Sequence, residues 1–250
     1  MPFFNHDGLR FHFDMAGEGT PILLIHGFAS SLVKNWRETG WFDALTRAGH
    51  QVIALDNRGH GESGKLYDPS RYDTDIMAND AIALLDYLGI KRAHYFGYSM
   101  GAIIGLRALA LAPGRFHSMI VAGIGVNATR FQPALTKIAH AMRAEDPRSL
   151  TDPLEVTFRA FADSQPNDLL ALAACAERGR TPAEAQHYAG KKIPPVLVVG
   201  GDQDELAQGL DELAAVIPGA ITATIPRRNH MTAVGDKETK RVVLEFLAGL

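Results

Sequence analysis

Short, continuously apolar runs recur along the chain. "ILLIH" (Ile22–His26), "QVIALD" (Gln51–Asp56), "AHYFGYS" (Ala93–Ser99), "SMIVAGI" (Ser118–Ile124), "PPVLVVGG" (Pro194–Gly201) and "ITATIP" (Ile221–Pro226) predict strands. Several lack the in–out alternation of a half-exposed strand, which predicts coverage on both faces, as in a parallel sheet. Between them, apolar residues at helical spacing predict helices over Trp36–Ala48, Asp75–Leu88, Met100–Ala112, Leu206–Val216 and Lys237–Leu247. In "TDIMANDAIALLDYLGI" the recurring positions are Ile76, Met77, Ala81, Leu84, Leu85 and Leu88, with Gly89 as a natural stop. "RFHFDMAGEG" alternates and predicts an antiparallel edge strand or hairpin arm. Strand–helix alternation of this kind predicts an α/β fold with a mostly parallel, doubly covered central β-sheet.

The rhythm breaks from about Asn127 to Lys192, where no strand pattern occurs and helix-like segments are separated by "EDPRS", "TDP", "SQPND" and "RTPAE". Asp152-Pro153 and Thr181-Pro182 have the cap-then-proline form of a helix start. A wholly helical insertion predicts a cap over residues 127–192, with 1–126 and 193–250 forming the core. A structureless excursion of that length is rare in a compact domain.

The chain has 250 residues, of which 46% are apolar and 21% charged, with a formal charge of −3. That supports a sizeable core and argues against a nucleic-acid partner. Cys175 stands alone, so no intrachain disulfide is possible, and it reads as a small apolar filler. The beginning "MPFFNHDGLRFHFD" lacks the basic start and apolar run of a signal peptide, and no stretch has the composition of a membrane span. A cytoplasmic protein is the expectation.

The chemistry begins at "HYFGYSMGAIIG", where a strand ends on Gly-Tyr-Ser-Met-Gly and a helix pattern follows at once. A strand-to-helix turn this sharp crowds neighbouring backbone, so glycine is required at Gly97 and Gly101, and Ser99 is held clear of the strand end. Gly105, further along, would let the helix sit close to the sheet. A hydroxyl is a poor nucleophile at neutral pH and needs a base, itself oriented by a carboxylate. Carboxylates occur in "VVGGDQDEL" after one predicted strand, and His230 in "RRNHMTAV" after the last. Serine, acid, histidine is the order that accompanies this turn.

"LLIHGFASS", "ALDNRGHGESG", "GYSMG", "VVGGDQDE" and "NHM", in this order and spacing, resemble the α/β-hydrolase fold superfamily over nearly the whole chain. The resemblance implies Ser99 as nucleophile, His230 as general base and Asp204 as the orienting acid, with Asp202 its competitor. It implies that the backbone N–H of Phe28 joins that of Met100, at the helix N-terminus, in an oxyanion hole. It makes His26 and His60 structural. Where the family commonly has glycine before the histidine this chain has Asn229, a residue that tolerates the same unusual backbone angles. Arg58 reads as a structural arginine tied to carbonyls or to Asp56.

No phosphate-binding loop, zinc-spaced histidine pair or Cys/His cluster is present, and the implied chemistry needs no cofactor and no metal. Trp36, Phe131, Phe158 and Phe161 are candidates to line the pocket beside Phe28. The resemblance implies a serine hydrolase taking a small to medium, largely apolar carboxylic ester and water. Lactone opening, hydrolytic carbon–carbon cleavage and perhydrolysis use the same residues, and a slow ligand receptor on the same scaffold is the alternative of a different class.

Overall fold

The computed structural model describes residues 2–130 and 135–250. Phe131, one of the pocket candidates, lies outside them. The strands are β1 (Phe3–His6), β2 (Leu9–Ala16), β3 (Thr20–Ile25), β4 (His50–Leu55), β5 (Ala93–Tyr98), β6 (Phe116–Ala122), β7 (Val196–Gly201) and β8 (Ile221–Ile225). They form one sheet in the order β1-β2-β4-β3-β5-β6-β7-β8. β1 and β2 are antiparallel to their neighbours, and every pairing from β4 through β8 is parallel.

The helices are α1 (Trp41–Arg47), α2 (Thr74–Tyr87), α3 (Met100–Leu111), α4 (Thr136–Arg143), α5 (Pro153–Asp163), α6 (Leu169–Glu177), α7 (Leu210–Ala215), α8 (His230–Ala233) and α9 (Lys237–Ala248). The apolar runs are continuous because successive side chains enter different cores. Leu23, Ile25 and Tyr95 pack with α2 and α3, whereas Ile22, Leu24 and Phe96 pack with Trp41 of α1 and Val243 and Leu247 of α9. Burial on both faces leaves few polar positions in these strands, and the buried His94 ring of β5 is paired with the Ser118 hydroxyl of β6 at 2.7 Å.

One alternative is settled and two helix boundaries change. The alternating stretch is a hairpin arm rather than the edge, because β1 pairs outside it through a turn with Asp7 at φ 50° and Gly8 at φ 70°. The helix expected over Trp36–Ala48 is split: one wide π-turn covers Val33–Arg37, Gly40 turns to φ 75°, and α1 starts at Trp41. The helix expected from Leu206 begins at Leu210, because Gly209 adopts φ 70° and closes the short turn over Glu205–Ala207.

Between β6 and β7 the insertion carries α4, α5 and α6. α5 starts where Asp152-Pro153 predicts, with the Asp152 carboxylate accepting from Leu154 and Glu155 N–H. No helix starts at Thr181-Pro182. The chain there runs past the end of β6, with Ala183 N–H donating to the Ala128 carbonyl at 2.7 Å. Ile138, Met142, Leu172 and Cys175 of the insertion share one core with Phe28 and Met100.

Candidate active site

β5 ends on a turn that only glycine allows. A Cβ on Gly97 would stand 2.3 Å from the Gly101 carbonyl oxygen, and one on Gly101 would stand 1.9 Å from that of Ile25. Backbone, not a movable side chain, fills both spaces. Ser99 itself is held at φ 53°, ψ −115°, a conformation that costs a non-glycine residue about 1–3 kcal/mol. Fixed neighbours hold it there: its N–H donates to Ala122 O in β6 at 2.8 Å, and its carbonyl accepts from Ala102 and Ile103 N–H in α3. The hydroxyl is left free at the carboxyl end of the sheet.

The imidazole of His230 meets it, with Nε2 3.0 Å from Ser99 Oγ, while Nδ1 lies 2.9 Å from Asp204 Oδ2. With the proton on Nδ1 donating to the carboxylate, Nε2 presents a lone pair to the serine hydroxyl. Asp204 is fully buried. Its other oxygen accepts Leu206 N–H at 2.9 Å, so the carboxylate cannot turn away from the ring. Asp202 instead lies exposed and accepts the Arg227 N–H at 2.6 Å. Tyr98, which sequence reasoning passed over as a strand residue, donates its hydroxyl to the His230 carbonyl at 2.5 Å. Burial drives the Tyr98 pKa upward, so it stays a donor. Asn229 has an ordinary extended backbone at φ −94° rather than the unusual angles expected; its side chain instead caps α8, accepting from Met231 and Thr232 N–H.

The segment after β3 lies against the serine: a Cβ on Gly27 would stand 3.3 Å from that of Ser99. Gly27 N–H donates to Asn35 Oδ1, Ser30 N–H to Gly27 O, and Leu32 N–H to Asp56 Oδ1. Ala29 sits at φ 55° in the middle of this turn. The N–H groups of Phe28 and Met100 have no hydrogen-bond partner among the described residues. The Ala29 carbonyl is gripped from the insertion by Gln165 Nε2 and Asn167 Nδ2, both at 3.0 Å. No motif marks those two amides in sequence.

His26 accepts Asn57 N–H on Nε2 at 3.0 Å and so donates from Nδ1 to Gly27 O at 2.7 Å. His60 donates from Nδ1 to Arg58 O at 2.9 Å. Burial holds the His26 pKa below its usual value and pushes that of His60 down to about 3, so both rings are neutral loop supports. Arg58 pairs with both oxygens of Asp80 at 2.7 Å, not with Asp56, which is taken by His12 and the Leu32 and Glu62 N–H groups. Phe28 stacks edge-on against His60 and 6.2 Å from Phe158, and Phe158 and Phe161 are half-buried against the same core. Trp36 is elsewhere: it is fully buried on the opposite face of the sheet, against Phe96 and Trp41. Among the described residues no cluster of His, Cys, Asp and Glu could hold a metal, and no helix is long and apolar enough to cross a membrane.

Residues 20–173 match the family model described as alpha/beta hydrolase fold. Over 94% of the chain the sequence is 31% identical to the dihydrolipoyllysine-residue acetyltransferase component of the acetoin cleaving system of Pseudomonas putida, and it spans 65% of that protein's length. A solved hydrolase from Pseudomonas aeruginosa superposes with a TM-score of 0.79 at 26% identity, over 98% of this chain and 97% of the other. The enol-lactonase from Burkholderia xenovorans superposes at 0.81 with 22% identity, over 99% and 100%, a likeness of fold.

Proposed function

The chain belongs to the alpha/beta hydrolase fold family, and from that premise we propose that it is a serine hydrolase of carboxylic esters working through an acyl-enzyme. The observation that carries this reading is the unbroken contact from Ser99 Oγ through His230 to Asp204, at 3.0 and 2.9 Å. Nucleophile, base and orienting carboxylate then each have one role. His230 Nε2 takes the Ser99 proton as Oγ attacks the ester carbonyl, and Asp204 stabilises the imidazolium that forms. The negative oxygen of the tetrahedral intermediate is met by the two unpartnered N–H groups of Phe28 and Met100, the second backed by the α3 dipole. His230 returns the proton to the leaving alcohol. Water, deprotonated by the same imidazole, then releases the acid and regenerates Ser99.

Residues 127–192 act in this reading as a cap, and Phe28, Phe158 and Phe161 supply an apolar wall for a small or medium acyl chain. Lactones are a second reading, since the same attack opens a cyclic ester and the fold is that of an enol-lactonase. The test is turnover of a panel of p-nitrophenyl esters and simple lactones by the wild type and S99A. Wild-type turnover lost in S99A supports the assignment; equal turnover by the two proteins overturns it.

A further inference from the structure

Among the buried arginines, Arg180 differs in what surrounds it. Arg58 is met by both oxygens of Asp80, and Arg159 by Asp163 and the carbonyls of Ala141 and Ala144. Arg180 is only 4% exposed, yet its Nη1 has no hydrogen-bond partner and its Nη2 reaches only the Cys175 sulfur, at 3.8 Å. Cys175 offers no countercharge, because burial pushes its thiol pKa up and keeps it protonated. A guanidinium stays charged at any physiological pH. Burying one without a counterion is costly, and good anion geometry offsets that cost.

The position of Arg180 says where that anion would come from. Cys175 Sγ is 3.9 Å from Met100 Sδ, so two sulfur atoms separate the guanidinium from the residue that follows Ser99. Three residues beyond Arg180, Ala183 N–H donates to the carbonyl of Ala128, in the turn that follows β6. We propose that Arg180 is the anion subsite of the candidate active site, taking a free carboxylate that the substrate carries away from its scissile bond. This rests on the hydrolase reading above and narrows it from a largely apolar ester to the monoester or lactone of a dicarboxylic acid. A planar carboxylate matches the guanidinium fork with two parallel hydrogen bonds. Arg58 is already matched by Asp80, so the unpaired guanidinium of Arg180 leaves one positive charge to balance, which favours a carboxylate over a phosphate dianion.

The test compares p-nitrophenyl hemiglutarate with its methyl-capped diester. The wild type is expected to favour the free acid at least tenfold in kcat/KM. In R180M that ratio should fall to near one, chiefly through KM, and in R180K it should fall between. Equal kcat/KM for the two substrates in the wild type, or an unchanged ratio in R180M, would overturn the proposal. Glutarate binding to S99A and to S99A/R180M, followed by calorimetry, separates this failure from failure of the hydrolase reading. Glutarate held by S99A and lost in the double variant, with no ester turned over by the wild type, leaves the anion subsite standing and removes the catalysis. Ester turnover without preference, and no glutarate binding, does the reverse.

Discussion

Asp202 and Asp204 are two residues apart, and only one of them touches His230. D204N keeps the shape of a fully buried side chain but lets the ring adopt the wrong tautomer, so kcat should drop by about 10⁴-fold. D202N loses one exposed contact to the Arg227 N–H and should stay within a few-fold of wild type in the same ester assay. Comparable losses in both would mean that the carboxylate has been misassigned. Ser99, His230 and the glycines around the serine were legible in sequence, because a strained turn and a nucleophile need particular residue types at fixed spacing. Asn229 was legible as a departure but not in its cause, since a cap and a left-handed turn both accept asparagine. Tyr98 and Arg180 left no trace, because what matters for each is a partner, or the lack of one, brought from a distant part of the chain.

The elements that bear the site were readable where apolar periodicity was strong and misread where one glycine decided. Gly40 and Gly209 delay the starts of α1 and α7, where spacing alone predicted continuous helices. The hairpin arm was readable from alternation, and Asp7-Gly8 is the turn that adds β1 outside it. Contacts between elements were not readable at all. The clearest is the grip of Gln165 and Asn167, in the link from α5 to α6, on the Ala29 carbonyl. Ala29 is held at φ 55° directly after Phe28, so the two amides fix the turn that presents the Phe28 N–H. Replacing both by leucine should lower kcat about tenfold while KM moves less than threefold, since the donor matters most once charge develops on oxygen. A KM effect with unchanged kcat would assign the two amides to substrate binding instead.

For the whole molecule, the buried imidazoles set the response to acid. Burial depresses His26, holds His60 at about 3 and holds His94 at about 4, whereas the unfolded chain takes up protons near 6.5. Above that pH neither state is protonated and the full stability is present. Below it the unfolded state binds protons that the folded state refuses, so stability falls from about pH 6.5 down to the folded values. The unfolding midpoint should therefore drop steadily between pH 7 and pH 4, and H60N should flatten the slope; a midpoint independent of pH over that range would contradict it. In the proposed mechanism the strained turn, the late carboxylate and the last histidine act together on one hydroxyl. Its most direct test is labelling of the folded protein with a fluorophosphonate, followed by peptide mapping. A single adduct on Ser99 is expected, formed at least a hundredfold more slowly in H230A. An adduct on another residue, no adduct on the folded protein, or equal rates in H230A would contradict it.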